Sequence, residues 1–138
     1  MSSEIANQAN SDKGGFCFAD NTQLFVKRDN KEVLIEVKDI KLGDELITGE
    51  KITAIIQMDG KGVQLYNVNG IFVSGSHLIL GTDGLWKSVS KDERAKKAIN
   101  TSEILYCFNT TTHTFPVYSP ELNKSIMFKD WEELDEND

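Results

Sequence analysis

The sequence reads as an all-β domain of short antiparallel strands with one short helix. Three observations carry that reading. Apolar residues recur in short, alternating runs, tight-turn residues separate those runs, and only one segment has the composition of a helix. With so little helix, the core must come from sheet packed on sheet.

Residues 1 to 15 are small, polar and non-periodic, and read as a disordered leader. From Phe16 the texture changes. Gln23 to Lys27 alternates, and Val33 to Val37 alternates again after the turn Arg28-Asp29-Asn30-Lys31. Further strands are expected at Lys51 to Met58, Val63 to Val68, Ile71 to Ser74, His77 to Leu80, Ile104 to Phe108 and Thr114 to Val117. Asp59-Gly60-Lys61-Gly62, Asn69-Gly70 and Asp83-Gly84 mark turns between them. Asn69-Gly70 fits a type I′ hairpin, in which both central residues take positive φ. The helix is expected from the capping box Ser90-Lys91-Asp92-Glu93 through Arg94-Ala95-Lys96-Lys97-Ala98. One domain over residues 16–131 and an acidic tail over 132–138 complete the expected organisation.

The 138 residues can bury one modest core. Net charge is −7, but Lys129 to Asp138 hold six acidic residues and one lysine, so the rest of the chain is nearly neutral. No basic stripe with interleaved aromatics favours a nucleic-acid partner. No apolar run has the length of a membrane span, and no secretory signal pattern opens the chain. A monomer in a reducing, cytoplasmic setting is expected. The Asn-x-Ser/Thr triplets at Asn100, Asn109 and Asn123 are then chance matches. Two cysteines make no disulfide framework, and zinc spacings such as C-x-x-C are absent, so neither a metal nor a cofactor is expected.

The residues able to carry chemistry are few. Cys17 lies in Gly15-Phe16-Cys17-Phe18-Ala19, where the leader meets the domain. An unperturbed thiol is only about 3% thiolate at neutral pH, so Cys17 needs an activating environment. Alone it reads first as a small buried residue at a strand start. Held by Phe16 and Phe18, it could attack the Phe16 carbonyl in an N-to-S acyl shift, with orientation lowering the barrier. His77 follows the turn Val73-Ser74-Gly75-Ser76. It could protonate the departing nitrogen as a general acid, while Ser74 holds the same peptide. Alone, His77 reads as a satisfied turn histidine.

In order along the chain come Cys17-Phe18, the run Val37-Lys38-Asp39-Ile40-Lys41-Leu42-Gly43-Asp44, then Ser74 to His77, Leu105-Tyr106-Cys107-Phe108 and His113-Thr114-Phe115. This series resembles the Hint domain, the module shared by inteins and the autoprocessing domain of Hedgehog proteins. The resemblance covers Cys17 to about Trp131 and implies a horseshoe-like all-β fold with the first cysteine held centrally. Ser74 to His77 falls on the family's Thr-x-x-His motif, with serine in place of threonine. Tyr106 keeps its place, whereas Cys107 stands where aspartate is common. Cys107 is therefore either an acyl acceptor, as in some inteins, or an inert strand cysteine. His113 matches a late histidine that assists later steps, and equally suits a solvated Thr-rich turn. The ending Phe128-Lys129-Asp130-Trp131-Glu132-Glu133 is similar to intein-like modules of phage and viral reading frames, which would put the protein in an infected host cell.

Full splicing is not expected, because no His-Asn followed by Cys, Ser or Thr closes the chain. The implied activity is single-turnover self-cleavage or acyl transfer. Its substrate is the chain's own N-terminal flank, and its acceptor is water, an external amine or Cys107. The alternative is a non-catalytic module of the same fold that docks through its acidic, Trp131-containing tail. The family also brings the two cysteine positions together, so a Cys17–Cys107 disulfide would gate the reaction by redox state.

Overall fold

Among the described residues the strands pair antiparallel. A computed structural model describes residues 17–99 and 102–130. The expected leader, Phe16, Trp131 and the acidic tail lie outside the described residues. The strands are β1 (Gln23–Arg28), β2 (Lys31–Glu36), β3 (Glu45–Leu46), β4 (Ile52–Asp59), β5 (Leu65–Val68), β6 (Ile71–Ser74), β7 (Leu78–Leu80), β8 (Trp86–Ser88), β9 (Ala95–Ala98), β10 (Ile104–Thr110), β11 (Thr114–Ser119) and β12 (Lys124–Lys129). The largest sheet runs β2-β1-β11-β12-β7-β8, with β3 also on β1. A second runs β9-β5-β6, and β10 pairs with β4. The expected all-β architecture is therefore observed. No helix among the described residues is long and apolar enough to cross a membrane.

Turn chemistry sets two of the hairpins. Between β5 and β6, Asn69 and Gly70 have φ of 50° and 91°, and between β1 and β2, Asp29 and Asn30 have φ of 54° and 63°. Asn and Asp tolerate this left-handed backbone better than most residues with a side chain. Gly70 is doubly constrained, because a Cβ there would lie 2.7 Å from Pro120 Cγ.

The segment Cys17–Ala19 is the junction of the fold. Phe18 bridges Val73 of β6 on one side and Tyr106 of β10 on the other. Phe18 and Tyr106 exchange both backbone bonds, at 2.8 and 2.9 Å. Strand alternation then sorts the side chains onto two faces. Phe18, Tyr106 and Phe108 enter the main core with Phe115 and Phe128, whereas Cys17, Ala19, Leu105 and Cys107 form a smaller cluster with Leu65. The Phe18 ring meets those of Phe128 and Phe115 at centroid distances of 5.1 and 5.8 Å.

The expected helix over Ser90 to Ala98 is not formed. A single 3-10 turn, Val89–Lys91, leads through Asp92 into β9, whose Ala95–Ala98 pairs with Val68–Leu65 of β5. Partner strand and side-chain bonding override the helical preference of Ala, Lys and Arg. Glu93, the acid of the expected capping box with Ser90, instead accepts from Thr82 Oγ1 at 3.2 Å, and Asp92 turns to Arg94. The Asp92 carboxylate takes the Arg94 N–H and both ends of the Arg94 guanidinium, each at 2.8 Å, while Arg94 Nη2 also donates to the Leu80 carbonyl.

The Arg94 guanidinium, with the Arg94 N–H assisting, holds the Asp92 pKa below its ordinary value despite burial. A depressed folded-state pKa means stability that is present above the unfolded value and lost as pH falls through the folded one. Asp92→Asn should therefore cost about 1.5–3 kcal/mol at pH 7, the range for hydrogen bonds to charged groups. Its deficit against wild type should shrink towards zero below the ordinary aspartate range. Urea midpoints of both proteins at neutral and acid pH check this, and an equal deficit at the two would contradict it.

Candidate functional site

The two faces of the Cys17 backbone are treated differently. Across from β6, Ala19 N–H donates to the Phe72 carbonyl and Ser74 N–H to the Cys17 carbonyl, at 3.0 and 2.9 Å. A regular ladder would return the Cys17 N–H to the Ser74 carbonyl. Instead the Cys17 N–H donates to Ser74 Oγ at 3.0 Å, and the Ser74 carbonyl accepts the His77 N–H at 3.3 Å. The diversion happens where β6 ends and the Ser74–His77 turn begins. The amide nitrogen of the residue 16–17 peptide is thus held by a side chain, in a buried position. Cys17 and Ser74 are 0% and 2% exposed.

His77 is buried as well. Its ring lies 4.6 Å from that of Phe18, centroid to centroid, and 5.4 Å from that of Phe128. Nε2 is 2.7 Å from the Lys129 carbonyl oxygen. A carbonyl only accepts, so Nε2 carries the proton and Nδ1 is the nitrogen that can take up or deliver another. The imidazole is fixed at one end.

The cysteines follow from register. Because Phe18 and Tyr106 form a hydrogen-bonded pair, Cys17 and Cys107 form the adjacent non-hydrogen-bonded pair, where Cα atoms lie about 4.5 Å apart. The observed separation is 4.5 Å, and the two sulfurs are joined as a disulfide across 90 residues. Met58 of β4, opposite Leu105 and diagonal to Cys107, sets its Sδ 3.1 Å from Cys17 Sγ and 3.7 Å from Cys107 Sγ.

His113 sits in the β10–β11 turn with φ of 65°. Its Nδ1 lies 3.1 Å from Asp130 Oδ2, and the same oxygen accepts the Thr110 N–H at 3.0 Å. The structure thus brings Cys17, Ser74 and Cys107 into direct contact and packs His77 on Phe18. His113 reaches them through Asp130 and its neighbour Lys129. Among the described residues, no three His, Cys, Asp or Glu side chains converge as metal ligands.

Sequence reasoning did not single out Met58, Asp130 or the Lys129 carbonyl. Met58 was reachable only through the β4–β10 register, and a backbone carbonyl leaves no trace in residue type. Asp130 did carry a signal, since it is the first acid after the apolar alternation of Ile126 and Phe128. No family model matches the chain, and neither does any curated protein.

The disulfide closes a long loop, for which the chain-entropy model gives about 4–5 kcal/mol. Reduction with a phosphine should expose two thiols, add two mass units and lower the urea midpoint markedly. A midpoint that does not move on reduction would show that this bond contributes nothing to the folded state.

Proposed function

We propose that the protein is an autoprocessing domain of the Hint type that cleaves or transfers its own N-terminal flank through a thioester at Cys17. The observation that carries this reading is the bond from the Cys17 N–H to Ser74 Oγ. It engages the nitrogen that must leave, from the residue pattern that the Thr-x-x-His resemblance assigns to that task. The dithiol is the competent form, because a sulfur engaged in a disulfide is no nucleophile.

In the reaction, a general base takes the Cys17 thiol proton and the thiolate adds to the Phe16 carbonyl carbon. As the tetrahedral species collapses, the carbon–nitrogen bond breaks and His77, protonated at Nδ1, gives that proton to the Cys17 nitrogen, the proton taken from the thiol then restoring His77. The products are a Phe16–Cys17 thioester and a free amine on Cys17, with no net change in atoms or charge. Ser74 Oγ keeps the nitrogen oriented. Displacement by water, an amine or a thiol then releases the flank. An open cleft of about 290 Å³, lined by Gly75, Tyr66, Ser88 and Ser90, reaches Ser74 and is the side from which an outside acceptor would approach. Cys107, opposite Cys17, is the acceptor within the chain.

A second reading draws on the disulfide itself: a non-catalytic module in which Cys17 staples the central segment to β10. One experiment separates the two. A fusion placed before Phe16 is incubated with dithiothreitol and followed by intact mass. The autoprocessing reading expects thiol-accelerated release, abolished by Cys17→Ala and withheld from oxidised protein until it is reduced. His77→Ala should slow release by about two orders of magnitude or more, in line with general-acid contributions, and Ser74→Ala by less. A fusion that stays intact after full reduction leaves the staple as the account.

A further inference from the structure

We propose that Asp130 is a positioning residue for His77, acting through the single peptide unit that joins Lys129 to Asp130. The C=O of that unit accepts the His77 Nε2–H at 2.7 Å, and its N–H donates to the His113 carbonyl at 2.9 Å. A peptide unit is planar, so fixing one end fixes the direction of the other. The Asp130 side chain supplies the third constraint. Its Oδ2 accepts the Thr110 N–H at 3.0 Å and lies 3.1 Å from His113 Nδ1.

The carboxylate is wholly buried, whereas the His113 side chain is 29% exposed. A buried acid is held by its hydrogen bonds, because leaving any of them unmade is costly. Asp130 therefore cannot swing away without stranding the Thr110 N–H, and the Lys129 carbonyl cannot turn away from His77 without moving Asp130. The result is a preset tautomer, with His77 protonated at Nε2 and its Nδ1 left as the working nitrogen. The tautomer of a histidine is set by the bond its other nitrogen makes, and here that bond is made by backbone. His113 acts in the same assembly, as a partner of Asp130.

The consequence for rate rests on the autoprocessing reading, whereas the tautomer does not. The chain has two histidines, so nitrogen-15 labelling of histidine gives two imidazoles to assign. The reduced full chain is compared with Asp130→Asn and Asp130→Ala, and Cys17→Ala is added to each for the spectra. Wild type should show His77 with a pyrrole-type Nε2 and a pyridine-type Nδ1. Asp130→Asn, whose amide oxygen still accepts the Thr110 N–H, should keep that pattern and at least half the release rate of the fusion. Asp130→Ala should give mixed tautomers at His77 and lower the rate at least about tenfold, as a wrongly protonated histidine does elsewhere.

If Asp130→Ala does not fold, His113→Asn replaces it. Asparagine keeps the left-handed backbone but removes the imidazole contact with Asp130 Oδ2, one of the two side-chain bonds that Asp130→Asn preserves, so partial tautomer mixing is expected. A wild-type His77 protonated at Nδ1 overturns the proposal. So does a folded Asp130→Ala or His113→Asn whose His77 is unchanged. Absence of release from wild type, with the tautomers as expected, would remove the autoprocessing reading and leave the positioning role standing.

Discussion

The insertion of Cys17–Ala19 between β6 and β10 is the constraint on which the rest of the structure depends. This segment completes the ladder on both sides, so the β9-β5-β6 sheet and the β4–β10 pair are joined through it. Its central side chain, Phe18, is fully buried among the aromatic rings that hold the core. Removing such a ring from a packed core usually costs about 3–5 kcal/mol. A segment so strongly anchored sets the positions of its neighbours with little freedom, and the site is assembled from those neighbours.

Two consequences follow from one register. Pairing Phe18 with Tyr106 puts Cys17 opposite Cys107 on the face away from the main core. Pairing Phe18 with Val73 puts the Cys17 nitrogen opposite Ser74, where β6 ends and its carbonyl turns to His77. The sulfur and the nitrogen of one residue are therefore controlled by different strands. The disulfide engages the first while the second stays on Ser74 Oγ, so the protein with its sulfurs joined keeps a site whose peptide nitrogen is already held. In the proposed function, reduction has only to free the sulfur, and the proton carrier waits in the correct tautomer.

Much of this was legible in the residues, and the limits have physical causes. The Asn69-Gly70 and Asp29-Asn30 hairpins are local, since a two-residue loop demands particular φ values and few residues supply them. Ile71–Ser74 is bounded as its alternation predicts. β9 was missed because Ala95, Lys96, Lys97 and Ala98 favour helix locally, and only pairing with β5 makes them a strand. β12 was missed although Ile126 and Phe128 alternate correctly, because Lys, Ser and Met dilute the pattern. Cys17, Ser74, His77 and Cys107 stood out through their scarcity and order. Their spacing in the chain says nothing of the cross-strand pairing that makes Cys17 meet both Ser74 and Cys107. The Lys129 carbonyl lay beyond sequence altogether.

Amide hydrogen exchange at residues 17 to 19 of the reduced protein tests most directly whether the segment is a true inner strand. The donors are the Cys17 N–H on Ser74 Oγ, the Phe18 N–H on the Tyr106 carbonyl and the Ala19 N–H on the Phe72 carbonyl. If the fold depends on them, all three should exchange only through global unfolding, as slowly as the slowest core amides of β10. Rapid exchange at Cys17 and Phe18, with β10 still protected, would mean that the segment lies outside the cooperative core. The site would then have no fixed frame to hold its nitrogen.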